Sequence, residues 1–318
     1  MPKLNFTLTQ IEYVLSVEKY GQFARAAKAC FITQPTLSMQ VQRLEENLGF
    51  VLFDRAKKPV RATDRARPVL AQMKLILHEV RKLEEQIHGR VRGPLSGELT
   101  VAVIPTLAPS LLPRLLPRLR RRLPNLDLDL REMQTPDIIQ ALNRDEIDLA
   151  IVALSLGSPQ ISERPLFWEP LSVVCGKEHP LRRFRRIKPQ NLSPEDIWLL
   201  EEGHCLRTQM LDLCGMKGRR DAGSNFRLES GSLETLKNLV DTVGGYTLAP
   251  YLATEDFRNR GSIIPFEHPM PAREIGLAMR RKHLKAELVQ AFEAQLLQCL
   301  PPYLRQLRKQ DLDVLPID

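Results

Sequence analysis

The stretch Thr33-Gln34-Pro35-Thr36-Leu37-Ser38-Met39-Gln40-Val41-Gln42-Arg43-Leu44-Glu45-Glu46-Asn47-Leu48-Gly49 reads as one helix, with a threonine to cap its start and a glycine to end it. Upstream, Phe23 to Cys30 forms a short alanine-rich helix that leads through Phe31-Ile32 into Thr33. Before the break at Gly21, residues 9–19 set Ile11, Val14, Leu15 and Val17 largely on one stripe, and Thr9 with Glu12 has the spacing of a capping box. Two short helices joined by a few residues, the second with polar side chains on its first exposed turns, make a helix-turn-helix. Residues 50–63 read as a wing, with apolar Val51, Leu52 and Phe53 followed by Arg55, Lys57, Lys58 and Arg61.

Charge supports a nucleic-acid partner for this end of the chain. The protein has 318 residues and a net charge of +8. Residues 1–67 hold eleven basic against six acidic side chains, so most of the excess sits here. Hydrophobic residues at 43% and charged residues at 26% are globular values, and the length implies two or more compact units. No run reaches the ~20 apolar residues of a membrane helix and no secretory leader opens the chain, so a soluble cytoplasmic protein is expected. Five scattered cysteines, Cys30, Cys175, Cys205, Cys214 and Cys299, do not make a secreted disulfide framework.

Downstream of the wing, Leu70, Met73, Leu77, Val80 and Ile87 repeat at three- and four-residue spacing, predicting an amphipathic helix of roughly 40 Å suited to pairing with a second copy. Pro68 is read as lying beyond the first turn, so regular helix is expected from near Val69. After the hinge Gly93-Pro94-Leu95-Ser96-Gly97, strand-like and helix-like runs alternate: Leu99–Val103, 109–122, Leu126–Arg131, 136–144 and Ile147–Ala153. A second set follows at Leu171–Cys175, Ile197–Leu200, 205–214, Phe226–Glu229, 232–243 and Tyr246–Ala249, and Ile275–Met279 with helix 286–299 return to the first. This predicts βα units with parallel sheet, arranged as two lobes with a cleft between them.

Ala26-Ala27, Thr33 to Ser38, Gln40, Arg43-Leu44-Glu45, Leu48-Gly49 and Leu52-Phe53-x-Arg55 together resemble the LysR-type transcriptional regulators. The resemblance implies an α/β protein: an N-terminal winged helix-turn-helix (1–62), a long linker and dimerisation helix (63–90), a hinge (91–98), and a two-lobed periplasmic-binding-protein-like regulatory domain (99–318). Lobe I would take 99–169 and 275–318, lobe II 170–274. Side chains at the start of a recognition helix reach base edges while cations hold phosphates, which assigns Gln34, Pro35, Thr36 and Ser38 to the major groove and Arg25, Lys28, Arg43, Arg55 and Lys58 to the backbone of double-stranded DNA. Where the family has Thr-x-Ala-Gly after the wing, this chain has Thr63-Asp64-Arg65-Ala66.

Gly203-His204-Cys205-Leu206-Arg207, with Cys214 nine residues after the cysteine, resembles the OxyR-like, hydrogen peroxide-sensing subgroup of that family. Ile104-Pro105-Thr106, Gln134-Thr135, Pro165-Leu166-Phe167, Ser232 to Leu236 and Ile275-Gly276-Leu277 extend the resemblance over nearly the whole chain. It implies that peroxide attacks Cys205, that Cys214 resolves the sulfenic acid into a disulfide, and that Thr106, Thr135 and His204 line the peroxide pocket, with Arg280 closing it. Thr208 stands where many such chains have an acidic residue. The chemistry agrees: the thiolate is the nucleophile, and His204, Arg207 and a helix N-terminus are three candidate stabilisers of it. If 205–214 is helical, the two Cα atoms lie about 13.5 Å apart, whereas a disulfide spans about 4.4–6.8 Å. Oxidation therefore has to unwind the segment, a change that can re-space paired DNA-binding heads.

The expected protein is thus a homodimer or homotetramer that regulates transcription at oxidative-stress genes with RNA polymerase as partner, reset by a thiol reductant such as a glutaredoxin or thioredoxin. It is expected not to be an enzyme and to carry no cofactor or metal, since no Cys-x-x-Cys or His-x-x-x-His spacing occurs. Two other readings stand beside it: a LysR-type regulator holding a small anionic metabolite in the interlobe cleft with the cysteines as bystanders, and a thiol peroxidase.

Overall fold

The computed structural model describes residues 6–92, 95–215, 230–257, 262–281 and 285–316. The chain divides into two compact units, the first ending at Arg90. The first unit opens with α1 (Leu8–Tyr20), α2 (Phe23–Ala29) and α3 (Gln34–Leu48), followed by a two-stranded wing, β1 (Phe53–Asp54) and β2 (Arg61–Ala62), and then α4 (Ala66–Arg92). Ile11, Val14, Val17, Leu37, Val41 and Leu44 are buried from solvent and pack with Leu70, Met73 and Leu77 of α4.

Two local readings are corrected here. The capping box of α1 is Thr7 with Gln10, not Thr9 with Glu12: Gln10 N–H donates to Thr7 Oγ1 (3.2 Å) and Thr7 N–H to Gln10 Oε1 (3.0 Å). α4 begins at Ala66 and runs through Pro68, which is its third residue. Amides in the first turn have no intrahelical acceptor, so proline removes no helix bond there. Arg55 is held by Glu45 (2.9 Å) and lies over the Phe23 ring, with its side chain 41% exposed. Glu45 is buried and also accepts from Leu52 N–H (2.7 Å) and Phe53 N–H (3.3 Å), so it fastens the wing to α3.

In the second unit β3 (Gly97–Val103), α5 (Ala108–Arg122), β4 (Leu126–Glu132), α6 (Thr135–Asn143) and β5 (Leu149–Ala153) form the expected βα units, with β3 parallel to both β4 and β5. α5 tolerates Pro113 and Pro117 because both face solvent, where the carbonyls they leave unbonded reach water, while Leu111, Leu115 and Leu119 fill the opposite face. β6 (Ile161–Cys175) is one strand of 15 residues, far longer than its expected Leu171–Cys175 segment, because it starts in one lobe and ends in the other. α7 (Cys205–Leu213), α8 (Leu233–Thr242), β7 (Tyr246–Pro250) and β8 (Ser262–Pro265) build the second lobe. β9 (Met270–Arg280), α9 (Ala286–Cys299), α10 (Pro302–Gln306) and β10 (Leu312–Val314) complete the chain.

The strands form a curled mixed sheet in the order β4-β3-β5-β9-β6-β7, with β10 added to β9 and β8 to β6. The parallel expectation holds for β3 to β5, whereas β9 runs antiparallel to both β5 and β6. Residues 197–200 do not form a strand and make only an Ile197–Tyr246 bridge. The expected strand at 226–229 and hinge residues 93–94 lie outside the described residues. Two cores result: one beneath β3, β5, α5 and α9, and another around Val173, Met210, Tyr246, Leu248 and Phe266.

Candidate functional site

In the first unit, α3 presents its first turn to solvent. Gln34, Pro35 and Thr36 are exposed and Ser38 half-buried, above a buried Leu37, Val41 and Leu44. Thr33 Oγ1 accepts from Thr36 N–H and fixes the start of the helix. Arg25, Lys28, Arg43 and Lys58 are all exposed. The arrangement supplies amide and hydroxyl groups at a helix N-terminus with cations around them, the chemistry that base edges and phosphates require.

The second candidate site is built where the lobes meet. Glu169 on β6 and Arg273 on β9 are paired in register, and both side chains are fully buried. Arg273 donates from Nε (3.0 Å) and a terminal nitrogen (2.8 Å) to Glu169, and from its other nitrogen to Thr106 Oγ1 (2.8 Å). Glu169 also accepts from Leu252 N–H (2.8 Å). A buried charge pair of this kind persists only when its remaining hydrogen-bonding capacity is filled, as it is here.

Cys205 is the first residue of α7 and half-buried against the first core. Burial pushes its thiol above the ordinary value. Against that act the Arg273 guanidinium, a hydrogen bond with Thr135 at the start of α6, and the backbone N–H groups of Leu206 and Cys205 itself. Its position follows from Gly203, at φ 94, with the Gln134 side chain close against it. That left-handed backbone favours glycine, which lets the chain turn into α7 without strain.

The cations that the sequence placed around Cys205 are not those found. Arg207 donates to Leu200 O. His204 is buried, and burial lowers its pKa and favours the neutral imidazole, with Glu201 (3.7 Å) opposing. Gln134 Nε2 bridges Glu201 (3.0 Å) and His204 Nε2 (3.4 Å). Arg280 does not close the site: it pairs with Asp145, and seven residues of strand separate it from Arg273 by about 23 Å. Sequence reasoning missed Arg273, Glu169, Gln134 and Glu201. The available signal was a lone arginine in the run Met270 to Met279, since a charge inside a buried strand requires a partner.

Cys214 caps the other end of α7 and packs against the second core. Its Sγ lies 3.7 Å from Tyr246 Oη, which donates to Ser193 O at 2.7 Å. Burial raises this thiol too, with Tyr246 opposing. Both cysteines are free thiols, at opposite ends of an intact helix. Beside Thr106 opens a cleft of about 60 Å³ lined by Pro105, Ser110, Glu132, Ser232 and Glu234 among others, enough for a few water-sized molecules. Among the described residues no cluster of metal-ligating side chains occurs, and no helix is long and apolar enough to cross a membrane.

Two family models match the chain: the bacterial regulatory helix-turn-helix protein, lysR family, over residues 8–67, and the LysR substrate binding domain over residues 92–310. The hydrogen peroxide-inducible genes activator of Dickeya chrysanthemi is 36% identical over 275 residues, covering 86% of this chain and 89% of the relative. The DNA-binding transcriptional dual regulator OxyR of Escherichia coli K12 is 35% identical over the same length and 89% of itself. Among solved structures, full-length OxyR of Pseudomonas aeruginosa with a cysteine-to-aspartate substitution superposes with a TM-score of 0.74 at 30% identity, covering 93% of this chain and 99% of that one. A hydrogen peroxide-bound cysteine-to-serine mutant of Corynebacterium glutamicum OxyR gives 0.61 at 30% identity, covering 94% of each chain.

Proposed function

The chain belongs to the LysR family of bacterial regulators, and from that membership we propose that it is a cytoplasmic, peroxide-responsive transcriptional regulator whose switch is a Cys205–Cys214 disulfide. The observation that carries this reading is the placement of Cys205 at a helix N-terminus beside Arg273 and Thr135, with a second thiol at the far end of the same helix.

In the first step the Cys205 thiolate attacks one peroxide oxygen and the O–O bond breaks. The departing hydroxide takes a proton to leave as water, and Cys205 becomes a sulfenic acid. Arg273, Thr135 and two backbone N–H groups hold the negative charge on sulfur before the attack, and Thr106 is kept at the site by Arg273. In the second step Cys214 sulfur displaces the sulfenic hydroxyl, which leaves as water with the Cys214 proton. Two thiols are oxidised and one peroxide is reduced to two waters. The bond cannot form across a helical α7, so unwinding of α7 is the conformational signal.

DNA would be held by Gln34, Pro35, Thr36 and Ser38 at base edges and by Arg25, Lys28, Arg43, Arg55 and Lys58 at phosphates. A dimer through α4, a higher assembly, RNA polymerase and a glutaredoxin- or thioredoxin-like reductant complete the expected partners.

The test is mass spectrometry after one equivalent of hydrogen peroxide, paired with DNA footprints of the two forms. A Cys205–Cys214 bridge with an altered footprint is expected. Unmodified thiols with an unchanged footprint would leave a LysR-family regulator answering to another signal.

A further inference from the structure

Phe31 occupies a backbone position to which its side chain is poorly suited. α2 ends in a Schellman motif, with Ile32 N–H donating to Ala27 O at 3.1 Å and Phe31 N–H to Lys28 O at 3.2 Å. This sets Phe31 one residue past the cap at φ 56. Glycine is usual there, because a left-handed conformation brings the Cβ of any other residue against the following carbonyl. The ring gains no packing in return. It is 96% exposed, the highest value among the exposed large hydrophobic residues described. Phe31 follows the exposed Lys28 by three residues and precedes Thr33, the cap of α3, by two.

A strained and solvated phenyl ring, set between a cation and the polar start of the recognition helix, fits a surface that is anionic with apolar edges. We propose that Phe31 is a further DNA-contacting residue, laying its ring against the apolar edge of the duplex while α3 enters the major groove. Two sources present that chemistry, the C5-methyl of thymine and the carbons of deoxyribose. The inference rests on the DNA-binding reading above and adds to it an apolar aromatic contact beside the amides, hydroxyls and cations of the head. It also implies a trade: the residue that strains the isolated head strengthens the complex.

The experiment uses the full-length protein and a duplex enriched from a random-sequence pool by the wild-type protein, with affinity measured across a salt series. Phe31→Asn suits the left-handed conformation, so its thermal midpoint should rise by a few degrees while affinity falls about tenfold. The slope of log affinity against log salt should stay at the wild-type value, because no phosphate contact is lost. Phe31→Tyr, which keeps the ring, should bind as the wild type does. Replacing thymines of the duplex by deoxyuridine separates the sources: a wild-type loss matching that of Phe31→Asn identifies the methyl group, and an unchanged wild-type affinity identifies the sugar. Wild-type affinity for Phe31→Asn, or a loss accompanied by a shallower salt slope, overturns the proposal. So does a change in sedimenting mass, which would assign the ring to a second copy of the chain. Failure of the wild type to enrich any duplex would instead remove the DNA-binding reading itself.

Discussion

The two ends of α7 carry the same functional group in unlike surroundings. At the N-terminal end Cys205 meets Arg273, Thr135 and two backbone N–H groups; at the C-terminal end Cys214 meets one phenol and an apolar core. Burial raises both thiols, so burial does not distinguish them. What differs is the number of groups able to stabilise a sulfur anion, and those converge at the helix N-terminus, where free N–H groups point outward, and on the buried arginine. The contrast agrees with the proposal that one end attacks peroxide and the other resolves the product. It also places each thiol on a different hydrophobic core, so bonding them draws the two lobes into one rearrangement.

The largest effect should come from removing one thiol at a time. Cys205→Ser should consume peroxide about 100-fold more slowly than Cys214→Ser, whose Cys205 should instead pass through sulfenic to sulfinic acid. Similar rates in stopped-flow assays of the two variants would erase the distinction between the ends.

Arg273 sharpens it. Arg273→Met leaves Glu169 buried without its cation and should cost about 3–5 kcal/mol in urea unfolding. Adding Glu169→Gln should return much of that stability while leaving Cys205 slow, with oxidation reduced about tenfold for each unit by which its pKa rises. A double variant that folds and oxidises at the wild-type rate would show that the arginine is structural alone.

A smaller change is expected at the other end. Tyr246→Phe leaves Ser193 O without its donor and removes the group that opposes the rise in the Cys214 pKa. A loss of about 1 kcal/mol is expected, with disulfide formation slowed a few-fold and a larger sulfinic fraction on Cys205 by mass spectrometry. Peroxide consumption in the first step should not change.

The smallest effect concerns pH. The pKa of His204 is lowered in the folded protein by burial, so between that value and the ordinary 6.5 the unfolded chain binds more protons. Its contribution to stability is complete above pH 6.5 and declines as pH falls below it. His204→Gln should flatten that decline in thermal midpoints taken from pH 7 to pH 5. An unchanged slope would assign the acid sensitivity to other groups.

The DNA-binding head was largely legible in the sequence because its signals are local. Thr33 and Gly49 bracket α3, Gly21 ends α1, and the apolar stripe follows a period of 3.6. The errors there were also local. Thr7 and Thr9 are both competent caps, and Gln10 completes a box as well as Glu12 does. Pro68 looked like a helix breaker because the linker helix was read from Thr63, three residues before α4 begins at Ala66.

The sensing site was legible only along the chain. Sequence alone set two thiols nine residues apart with a glycine before the first; that a helix keeps them from bonding was conditional on the segment being helical, which α7 (Cys205–Leu213) with Cys214 as its cap supplies. It did not determine which cation serves Cys205: Arg207 is near in sequence but turns to Leu200 O, and Arg280 sits on the right strand at the wrong height. Arg273 was selected by the β6–β9 register, which sets it opposite Glu169 and within electrostatic reach of Cys205 from more than sixty positions away. A helix cap depends on its nearest neighbours, whereas the field at a buried sulfur depends on charges that only folding brings near it and that only burial leaves unscreened.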